Sequence, residues 1–383
     1  MLNCLMKFGA YLAVFLAIVV HLILFTEIPR QIGVYRFIKQ CAPLLEGLSP
    51  AFSEEPWGFT FEDLTEQNLS GQRALVTGAN SGIGYEVARQ LAKLGAEVTL
   101  ACRSVTKCAE AAALIQKENP KGPVMTTIMD MTSLASVRES AHEYMLHQGG
   151  KALDMLFLNA GYNYIPKENG PKDCIPITSD GMEEMFQVNY LSHHFLYKLL
   201  EPMLKRSNMA RVVSTSSGSS FSTYSYRIAT DLETLNGCKE PFMKGVENLS
   251  YGQSKLAQIV WSKALTKRLG PDSNIYVNAF HPGLVRTALV DKVFSEAPFM
   301  LTVFDKMQSV LWSTEEGALT GLFLGVAEDR LASENIRGKY FHPQSKEVIN
   351  ELALDDRLQE DLWNFSESLV QKFMSSHSTA TVE

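Results

Sequence analysis

A tyrosine and a lysine stand four positions apart in the stretch YGQSK, as Tyr251 and Lys255. On a helix this spacing places both side chains on the same face, one turn apart. A phenol has an ordinary pKa of about 10, and a neighbouring cation lowers that value because it favours the phenolate. The pair could therefore transfer a proton to or from a reacting oxygen. The same spacing also occurs on solvated helix surfaces, so the surrounding elements must decide between the two interpretations.

The stretch TGANSGIG, residues 77–84, is typical of a strand-to-helix turn that binds phosphate. Gly78 permits a tight turn after the strand, Gly82 lets the backbone approach a phosphate, and Gly84 lets the helix lie close to the sheet. The helix that follows would point free N–H groups at a pyrophosphate. The spacing G-x-x-x-G-x-G differs from the G-x-G-x-x-G fingerprint. We predict a dinucleotide site here, with a plain strand-to-helix turn as the alternative.

The end of the second predicted strand indicates which dinucleotide would bind. In many NAD-binding folds an acidic side chain about 20 residues beyond the glycines holds the ribose hydroxyls. Here that region reads Ala101-Cys102-Arg103 and contains no carboxylate. Arg103 is instead placed to meet a 2′-phosphate. The sequence thus favours NADP, with NADPH as its reduced form, over NAD.

Short apolar runs alternate with helix-like segments from residue 73 onward, and this pattern predicts the fold. Each run has the length and composition of a buried parallel strand. The predicted strands are RALVTG (73–78), EVTLACR (97–103), VMTTIMD (124–130), LDMLFLNAG (153–161), ARVVSTSS (210–217) and NIYVNAFHPG (274–283). Helical patterns between them cover Gly84–Leu94, Lys107–Glu118 and Leu134–His147. This alternation implies an α/β fold with a doubly wound parallel sheet, a Rossmann fold, covered by helices on both faces.

The N-terminus contains an apolar run long enough to cross a bilayer. Residues 8–25 read FGAYLAVFLAIVVHLILF and contain no charged residue. No small-x-small cleavage site follows, which favours an uncleaved transmembrane helix over a signal peptide, the alternative. Arg30, Arg36 and Lys39 follow the run and favour a cytosolic main domain. The predicted organisation is an anchor over 1–26, a linker with an amphipathic segment over 27–70, a single dinucleotide-binding catalytic domain over 71–345, and a C-terminal helix and tail over 346–383.

Composition and charge argue against several other classes of function. The 383 residues are 46% hydrophobic and 20% charged, as in an ordinary globular protein. The net charge is −7 and no dense block of Lys and Arg occurs, so nucleic acid is not expected as a partner. The six cysteines are scattered without the spacing of metal ligands, so no metal site is expected. We predict free thiols in a reducing compartment.

Seven separated motifs occur in the order and spacing found in short-chain dehydrogenase/reductases. They are TGANSGIG, Asp130 at the end of the third strand, LNAG (158–161), Asn189 within FQVNYLSHHF, TSS (215–217), YGQSK, and HPGLVRT (281–287). ANSGIG followed by ACRS, after an apolar N-terminus, resembles the membrane-anchored retinol-dehydrogenase and WW-domain-oxidoreductase branch of the family. DGMEEMFQVN with LEPML is also similar to the branch that reduces 3-keto sterols and 17-ketosteroids.

The resemblance implies a role for each residue that matches a family motif. Tyr251 would be the general acid or base, with Lys255 as its partner. Ser217 would orient the substrate oxygen, with Ser216 as the alternative, and Asn189 would hold a helix bend and a water. The residues implied to bind the cofactor are Gly78, Asn80, Ser81, Gly82, Ile83, Gly84, Arg103, Asp130, Met131, Asn159, Ala160, Gly161, Tyr251, Lys255, Pro282, Gly283 and Thr287.

A few positions depart from the family pattern. Leu158 and Ser214 stand where asparagines are usual. Ser217 and Tyr251 are 34 positions apart, a longer spacing than in many members. Residues 218–250 must therefore hold an extra loop.

The resemblance implies an NADP-dependent oxidoreductase that reduces the carbonyl of a lipophilic substrate, a retinoid, a sterol or steroid, or a long-chain aldehyde. The apolar segment 290–312 is expected to form a flexible lid over this substrate, with ordinary helix packing as the alternative. A 3-keto or 17-keto steroid reductase is the second hypothesis. A catalytically silent cofactor-binding scaffold protein is a third, from another class. We expect a single-pass membrane protein of the endoplasmic reticulum, a homodimer paired through the helices around Asn189 and Tyr251.

Overall fold

Within the described residues, eight strands form one sheet at the centre of the molecule. The computed structural model describes residues 58–118, 120–164, 176–223, 228–237, 249–285 and 311–374. The strands are β1 (Arg73–Thr77), β2 (Glu97–Cys102), β3 (Val124–Ile128), β4 (Met155–Leu158), β5 (Ala210–Thr215), β6 (Ile275–Phe280), β7 (Tyr340–His342) and β8 (Lys346–Glu347). Their order is β3-β2-β1-β4-β5-β6-β7-β8, and every neighbouring pair is parallel except β7 with β8.

Helices cover both faces of this sheet. They are α1 (Phe61–Thr65), α2 (Gly82–Lys93), α3 (Val105–Lys117), α4 (Leu134–Gln148), α5 (Glu184–Phe186), α6 (Ser192–Leu204), α7 (Leu232–Asn236), α8 (Leu249–Leu269), α9 (Thr314–Val326), α10 (Glu328–Ser333) and α11 (Asp356–Met374). One buried hydrophobic cluster includes side chains of α4, α6, α8 and α11, and a second includes side chains of α2, α3 and α9. The two clusters lie on opposite faces of the sheet, as in a doubly wound fold.

All six strands predicted from the apolar runs are present, and their bounds lie close to the predicted ones. The predicted Rossmann arrangement with a mostly parallel sheet is therefore confirmed. Strands β7 and β8 were not predicted, because three and two residues are too few to show a periodic pattern.

Residues 58–70, the described part of the linker predicted over 27–70, contact the residues of the predicted catalytic domain. The backbone N–H of Gly58 donates to the carbonyl oxygen of Gln344 at 3.0 Å. The ring of Phe59 lies 5.4 Å from the ring of Phe323 on α9, and Leu64 and Leu69 are buried. Burial of these apolar side chains holds residues 58–70 against the domain.

The predicted anchor over 1–26 and the amphipathic segment lie outside the described residues. Among the helices that the structure does describe, none combines the length and the apolar composition needed to cross a bilayer.

Cys102 and Cys108 form a disulfide, which corrects the prediction of free thiols for these two residues. Cys102 ends β2 and Cys108 lies in α3, and both are buried. Their Cα atoms are 5.8 Å apart, because the tight turn after β2 brings the first turn of α3 back against the strand. The other four cysteines lie outside the described residues.

The C-terminal helix α11 covers α6 and α8, the helices that the resemblance implied would pair two subunits. The Tyr190 hydroxyl and the Ser366 hydroxyl share a hydrogen bond of 2.8 Å. The guanidinium of Arg268, at the end of α8, lies 4.3 Å from the ring centroid of Trp363. Direct pairing of subunits through α6 and α8 would therefore require α11 to move.

Candidate active site

A π-helical turn, Gln187–Leu191, separates α5 from α6 and positions the buried side chain of Asn189. Its Oδ1 accepts a hydrogen bond from the backbone N–H of Tyr162 at 2.9 Å. Its Nδ2 donates to the Tyr162 carbonyl at 3.0 Å and to the Ser254 hydroxyl at 2.9 Å. Such turns often occur at functional sites. Asn189 thus joins the segment after β4 to helix α8, and the implied helix bend takes the form of this turn.

Tyr251 and Lys255 lie on α8, and neither is a solvated surface residue, with 8% and 4% of their surfaces exposed. The Lys255 Nζ lies 5.7 Å from the centroid of the Tyr251 ring. It donates a hydrogen bond of 2.8 Å to the carbonyl oxygen of Thr215, the last residue of β5. Burial lowers the pKa of Lys255 to about 7, because the ammonium loses its contact with water. The helix therefore delivers a phenol and a buried amine to the end of β5.

The two serines after Thr215 point in different directions. The Ser216 hydroxyl is buried and donates to the Lys255 carbonyl oxygen at 2.8 Å. Ser217 is partly exposed, and its Oγ accepts from the backbone N–H of Ser219 at 3.2 Å. The Tyr340 hydroxyl donates to the Ser217 carbonyl oxygen at 3.1 Å. Of the adjacent pair, Ser217 is thus the more exposed residue.

The glycine turn after β1 has the close approaches that its sequence predicts. Gly78 has φ +65°, and a Cβ there would lie 2.8 Å from the Cα of Ala160. At Gly84 a Cβ would lie 2.4 Å from Nδ2 of Asn159. A side chain at either position would therefore separate β1 and α2 from the residues that follow β4.

The N-terminus of α2 differs from those of the next two helices. Ser104 and Ser133 cap α3 and α4 through their hydroxyls, which accept from backbone N–H groups. Ser81, the N-cap of α2, makes no such bond within the described part of the chain. The first-turn N–H groups at Gly82, Ile83 and Gly84 are thus available to a phosphate, as a dinucleotide requires.

The residues after β4 connect the glycine turn to the catalytic candidates. Thr77 Oγ1 accepts from the backbone N–H groups of Asn159 and Ala160, both at 2.9 Å. Asn159 Nδ2 donates to the Thr77 carbonyl at 3.1 Å. A Cβ at Gly161 would lie 3.0 Å from Oδ1 of Asn189 and 3.3 Å from Nζ of Lys255. The predicted cofactor residues 159–161 therefore lie directly beside the predicted catalytic residues.

The predicted adenosine contacts follow β2 and β3. Arg103 is exposed immediately after β2. Asp130 is partly buried after β3, where its Oδ1 accepts from the N–H and the hydroxyl of Thr132, both at 2.9 Å. Met131 is buried, and its carbonyl accepts from the Ser192 hydroxyl at 2.7 Å. Asn80 is partly buried in the glycine turn. All of these residues lie at the carboxyl edge of the sheet, where such folds bind ligands.

The predicted nicotinamide contacts follow β6. Pro282 is partly buried, and Gly283 is buried with φ +86°. A Cβ at Gly283 would meet the indole of Trp312 at 2.2 Å. Thr287 and most of the predicted lid, residues 290–310, lie outside the described residues.

Several polar side chains that support this site were not predicted from the sequence. Thr77 opens the quoted motif TGANSGIG, but its hydroxyl acts on residues that are 82 and 83 positions away. His193 and Gln258 hydrogen-bond the Asn189 carbonyl, at 3.0 and 2.7 Å. Ser254 accepts from Asn189, as described above. Their residue types alone carry no signal, because the partners come together only in the fold.

Curated proteins that match this chain are short-chain oxidoreductases. The family profile described as short chain dehydrogenase matches residues 72–229. Retinol dehydrogenase 14 of Mus musculus is 32% identical over 314 residues, which cover 79% of this chain and 86% of that protein. Retinol dehydrogenase 12 of Bos taurus is 34% identical over 302 residues, covering 79% and 87%. WW domain-containing oxidoreductase of Danio rerio is 34% identical over 312 residues, covering 81% and 71%.

Solved structures share the fold. A protein from Mycobacterium paratuberculosis is 26% identical with a TM-score of 0.58, and the match covers 80% of this chain and 97% of that one. The RhlG/NADP active-site complex of Pseudomonas aeruginosa is 25% identical with a TM-score of 0.54, covering 71% and 94%. The sequence identity, the coverage and the shared architecture therefore point to the same family. This chain belongs to the short-chain dehydrogenase/reductase family of NAD(P)-binding oxidoreductases, in the branch that contains retinol dehydrogenases 12, 13 and 14 and WW domain-containing oxidoreductase.

Proposed function

We propose that this chain reduces the carbonyl group of a lipophilic substrate with NADPH. The candidate substrates are retinoids, sterols or steroids, and long-chain aldehydes. The observation that supports this proposal most directly is the position of the buried Lys255 amine, which lies 5.7 Å from the centroid of the Tyr251 ring. The amine also hydrogen-bonds the Thr215 carbonyl, two residues before Ser217, and lies close to Gly161. A phenol, a buried amine and a hydroxyl next to a dinucleotide-type turn are the groups that hydride transfer to a carbonyl requires.

The proposed division of work follows from the chemistry of each group. When bound, NADPH supplies the hydride to the carbonyl carbon. Charge then develops on the carbonyl oxygen, and Tyr251 donates its proton to that oxygen. Lys255 stabilises the phenolate that remains, and its burial makes this interaction strong because little water screens it. The Ser217 hydroxyl donates to the same substrate oxygen and orients it.

The chain's own residues would hold the cofactor along the carboxyl edge of the sheet. The N–H groups in the first turn of α2 would bind the pyrophosphate. Asp130 and Met131 would contact the adenine, and residues 159–161 would line the adenosine side. Pro282 and Gly283 would flank the nicotinamide, with Thr287 at its carboxamide. Arg103, exposed after β2, would bind the 2′-phosphate, which is the basis for proposing NADP rather than NAD.

The proposed substrate class rests on two features. Relatives in the same branch are named retinol dehydrogenases, and their names point to a lipophilic substrate. Residues 290–312 are rich in Phe, Met and Leu, and Trp312 of this segment is buried against Gly283. We propose that this segment covers the substrate. The apolar run 8–25 would anchor the chain to the endoplasmic reticulum membrane, with the catalytic domain in the cytosol. Such an anchor would keep the domain beside the bilayer, into which lipophilic substrates partition.

The full chain, purified in detergent, tests this function directly. Turnover would be compared for retinal, 3-keto sterols, 17-ketosteroids and long-chain aldehydes, each with NADPH and NADH. We expect oxidation of NADPH with at least one of these classes. Tyr251→Phe is expected to reduce turnover by roughly 100- to 10,000-fold, the usual contribution of a general acid, while NADPH binding persists.

The other possible outcomes would favour a different function or contradict the mechanism. Turnover confined to the steroid substrates would favour the 3-keto or 17-keto steroid reductase. Tight NADPH binding without turnover on any substrate would favour a catalytically silent scaffold protein. Wild-type turnover in Tyr251→Phe would contradict the proposed mechanism.

A further inference from the structure

His193 lies between the catalytic and the cofactor-binding parts of the site, yet none of the roles proposed above includes it. It is the second residue of α6, immediately after the π-helical turn, and only 2% of its surface is exposed. Its Nδ1 lies 3.0 Å from the carbonyl oxygen of Asn189. Its Nε2 lies 3.0 Å from Oγ1 of Thr77, at the end of β1. One imidazole ring thus bridges two elements that are otherwise far apart in the chain.

The partners of His193 determine where its proton resides. The Asn189 carbonyl can only accept a hydrogen bond, so Nδ1 carries the hydrogen. Burial lowers the pKa of His193 to about 3, so the ring is neutral at physiological pH and carries no second proton. The Nε2 atom is then a hydrogen-bond acceptor. It can therefore accept a hydrogen bond from the Thr77 hydroxyl but cannot donate one.

The Thr77 hydroxyl is the next member of this chain of hydrogen bonds. A hydroxyl has two acceptor lone pairs and one proton. The backbone N–H groups of Asn159 and Ala160 occupy the lone pairs, both at 2.9 Å. The proton can go to the Phe157 carbonyl at 3.2 Å or to His193 Nε2 at 3.0 Å, and Nε2 is the nearer. His193 therefore orients the hydroxyl so that both of its lone pairs face the two amides.

The Asn189 carbonyl is held equally firmly at the other end. It accepts from Gln258 Nε2 at 2.7 Å as well as from His193 Nδ1. Two donors match the two lone pairs of a carbonyl oxygen, so this carbonyl is held from two sides. A buried His and a buried Gln thus hold the carbonyl of the π-helical turn.

We propose that His193 is a positioning residue that sets the distance between the π-helical turn and residues 159–161. It would act through Thr77 and through the Asn189 carbonyl, without touching substrate or cofactor. This distance matters because Gly161 lies against both Asn189 and Lys255, with room for no side chain. The part of the proposal that concerns cofactor affinity rests on the proposed function, whereas the part that concerns residues 159–161 does not.

His194 provides a matched control on the same helix. It is equally buried, with 0% exposed, and it is also kept neutral because burial lowers its pKa. Its Nδ1 accepts from the indole N–H of Trp261 at 2.9 Å, and its Nε2 lies 3.1 Å from Oε1 of Glu367 on α11. The two adjacent histidines thus carry their protons on opposite nitrogens, and only His193 faces the cofactor edge. If the loss of any buried histidine loosens the fold in general, substitution of either His193 or His194 should show that effect.

Hydrogen exchange of the full chain without cofactor tests the positioning role by itself. In His193→Phe we expect the amides of Asn159 and Ala160 to exchange faster by roughly 3- to 10-fold, the effect of one weakened hydrogen bond. In His194→Phe these two amides should exchange as in the wild type, and the faster exchange should appear in α11. Equal behaviour of residues 159 and 160 in the two variants would overturn the proposal.

Cofactor binding supplies a second readout. His193→Phe should raise the dissociation constant for NADPH by roughly 3- to 10-fold. His193→Gln, whose amide oxygen can accept the Thr77 proton, should restore most of the affinity. His194→Phe should bind NADPH like the wild type. Failure of Gln to do better than Phe would contradict the proposed hydrogen bond. A wild-type chain that binds neither NADPH nor NADH would refute the proposed function, and the exchange measurement would still judge His193.

A double-mutant cycle covers the case in which His193→Phe does not fold. Thr77→Val removes the hydroxyl and Thr77→Ser retains it. If His193 acts through this hydroxyl, the smaller apolar variant His193→Leu should change exchange at residues 159 and 160 in the Thr77→Ser background but add nothing in the Thr77→Val background. Fully additive effects in the Thr77→Val background would overturn the proposal.

Discussion

The Ser216 hydroxyl donates to the backbone carbonyl of Lys255 at 2.8 Å, and this bond ties the end of β5 to helix α8. Ser216 therefore has a structural partner in α8, whereas Ser217 is partly exposed and its hydroxyl accepts from the nearby backbone N–H of Ser219. Two adjacent serines thus have different surroundings, and we expect substitution of each to affect a different property.

Ser217→Ala is expected to lower kcat by roughly 100- to 1,000-fold, the usual cost of removing one donor to a developing oxyanion, with little change in stability. Ser216→Ala is expected to lower the free energy of unfolding by about 1 to 3 kcal/mol, because the buried Lys255 carbonyl loses a donor. Steady-state kinetics and urea denaturation of both variants distinguish the two roles. A larger loss of kcat in Ser216→Ala than in Ser217→Ala would reverse the assignment.

Lys255 should make stability depend on pH in the cofactor-free chain. Burial lowers its pKa from 10.5 to about 7. Between these two pH values the unfolded chain holds a proton that the folded chain has released, so the free energy of unfolding rises with pH across this window. Below pH 7 both states hold the proton, and the cost of burying the ammonium is present in full. Lys255→Met should therefore abolish turnover and yet raise the free energy of unfolding at pH 6.

That gain in Lys255→Met should shrink as the pH approaches 10.5, and urea denaturation at several pH values measures it. Lys263→Met is the matched control, because Lys263 lies on the same helix and is partly exposed. It should show no comparable gain at pH 6. A difference between Lys255→Met and the wild type that stays constant from pH 6 to pH 10 would contradict the lowered pKa.

Arg103→Ala should change the preference between the two nicotinamide cofactors. Loss of charge-assisted hydrogen bonds to a 2′-phosphate is expected to raise the dissociation constant for NADPH by roughly 10- to 100-fold and to leave that for NADH nearly unchanged. Lys107→Ala, an exposed cation in the first turn of α3, is the control for a general loss of positive charge. Fluorescence titration with both cofactors measures these constants. Equal weakening of NADPH and NADH binding in Arg103→Ala would argue against a phosphate contact.

The disulfide between Cys102 and Cys108 should stabilise the turn that carries Arg103. Its sequence separation of six residues closes a short loop, for which chain entropy gives about 2 kcal/mol. The double variant Cys102→Ala/Cys108→Ala should lose roughly this amount without reductant, and reduction of the wild-type chain should remove most of the difference. Mass spectrometry reports the thiol content in parallel. A wild-type chain whose free energy of unfolding is the same with and without reductant would contradict a disulfide in the folded state.

Local sequence patterns predicted much of the fold and the core of the candidate site. The six longer strands follow from their apolar runs, and the glycine turn follows from TGANSGIG. The relation between Tyr251 and Lys255 follows from helical spacing alone, because both residues belong to one continuous helix. These features depend on interactions between residues close together in the chain, and such interactions leave a periodic signal.

Contacts between distant segments were decided only by the tertiary structure. His193 meets Thr77 across 116 positions, and α11 reaches back to contact α6 and α8. The choice between Ser216 and Ser217 depends on which hydroxyl faces the Lys255 carbonyl, 39 positions after Ser216. None of these contacts changes the composition or periodicity of its own segment, since each depends on how separate elements pack together. A sequence pattern therefore identifies which residues could do the chemistry, and packing determines which atoms are close enough to do it.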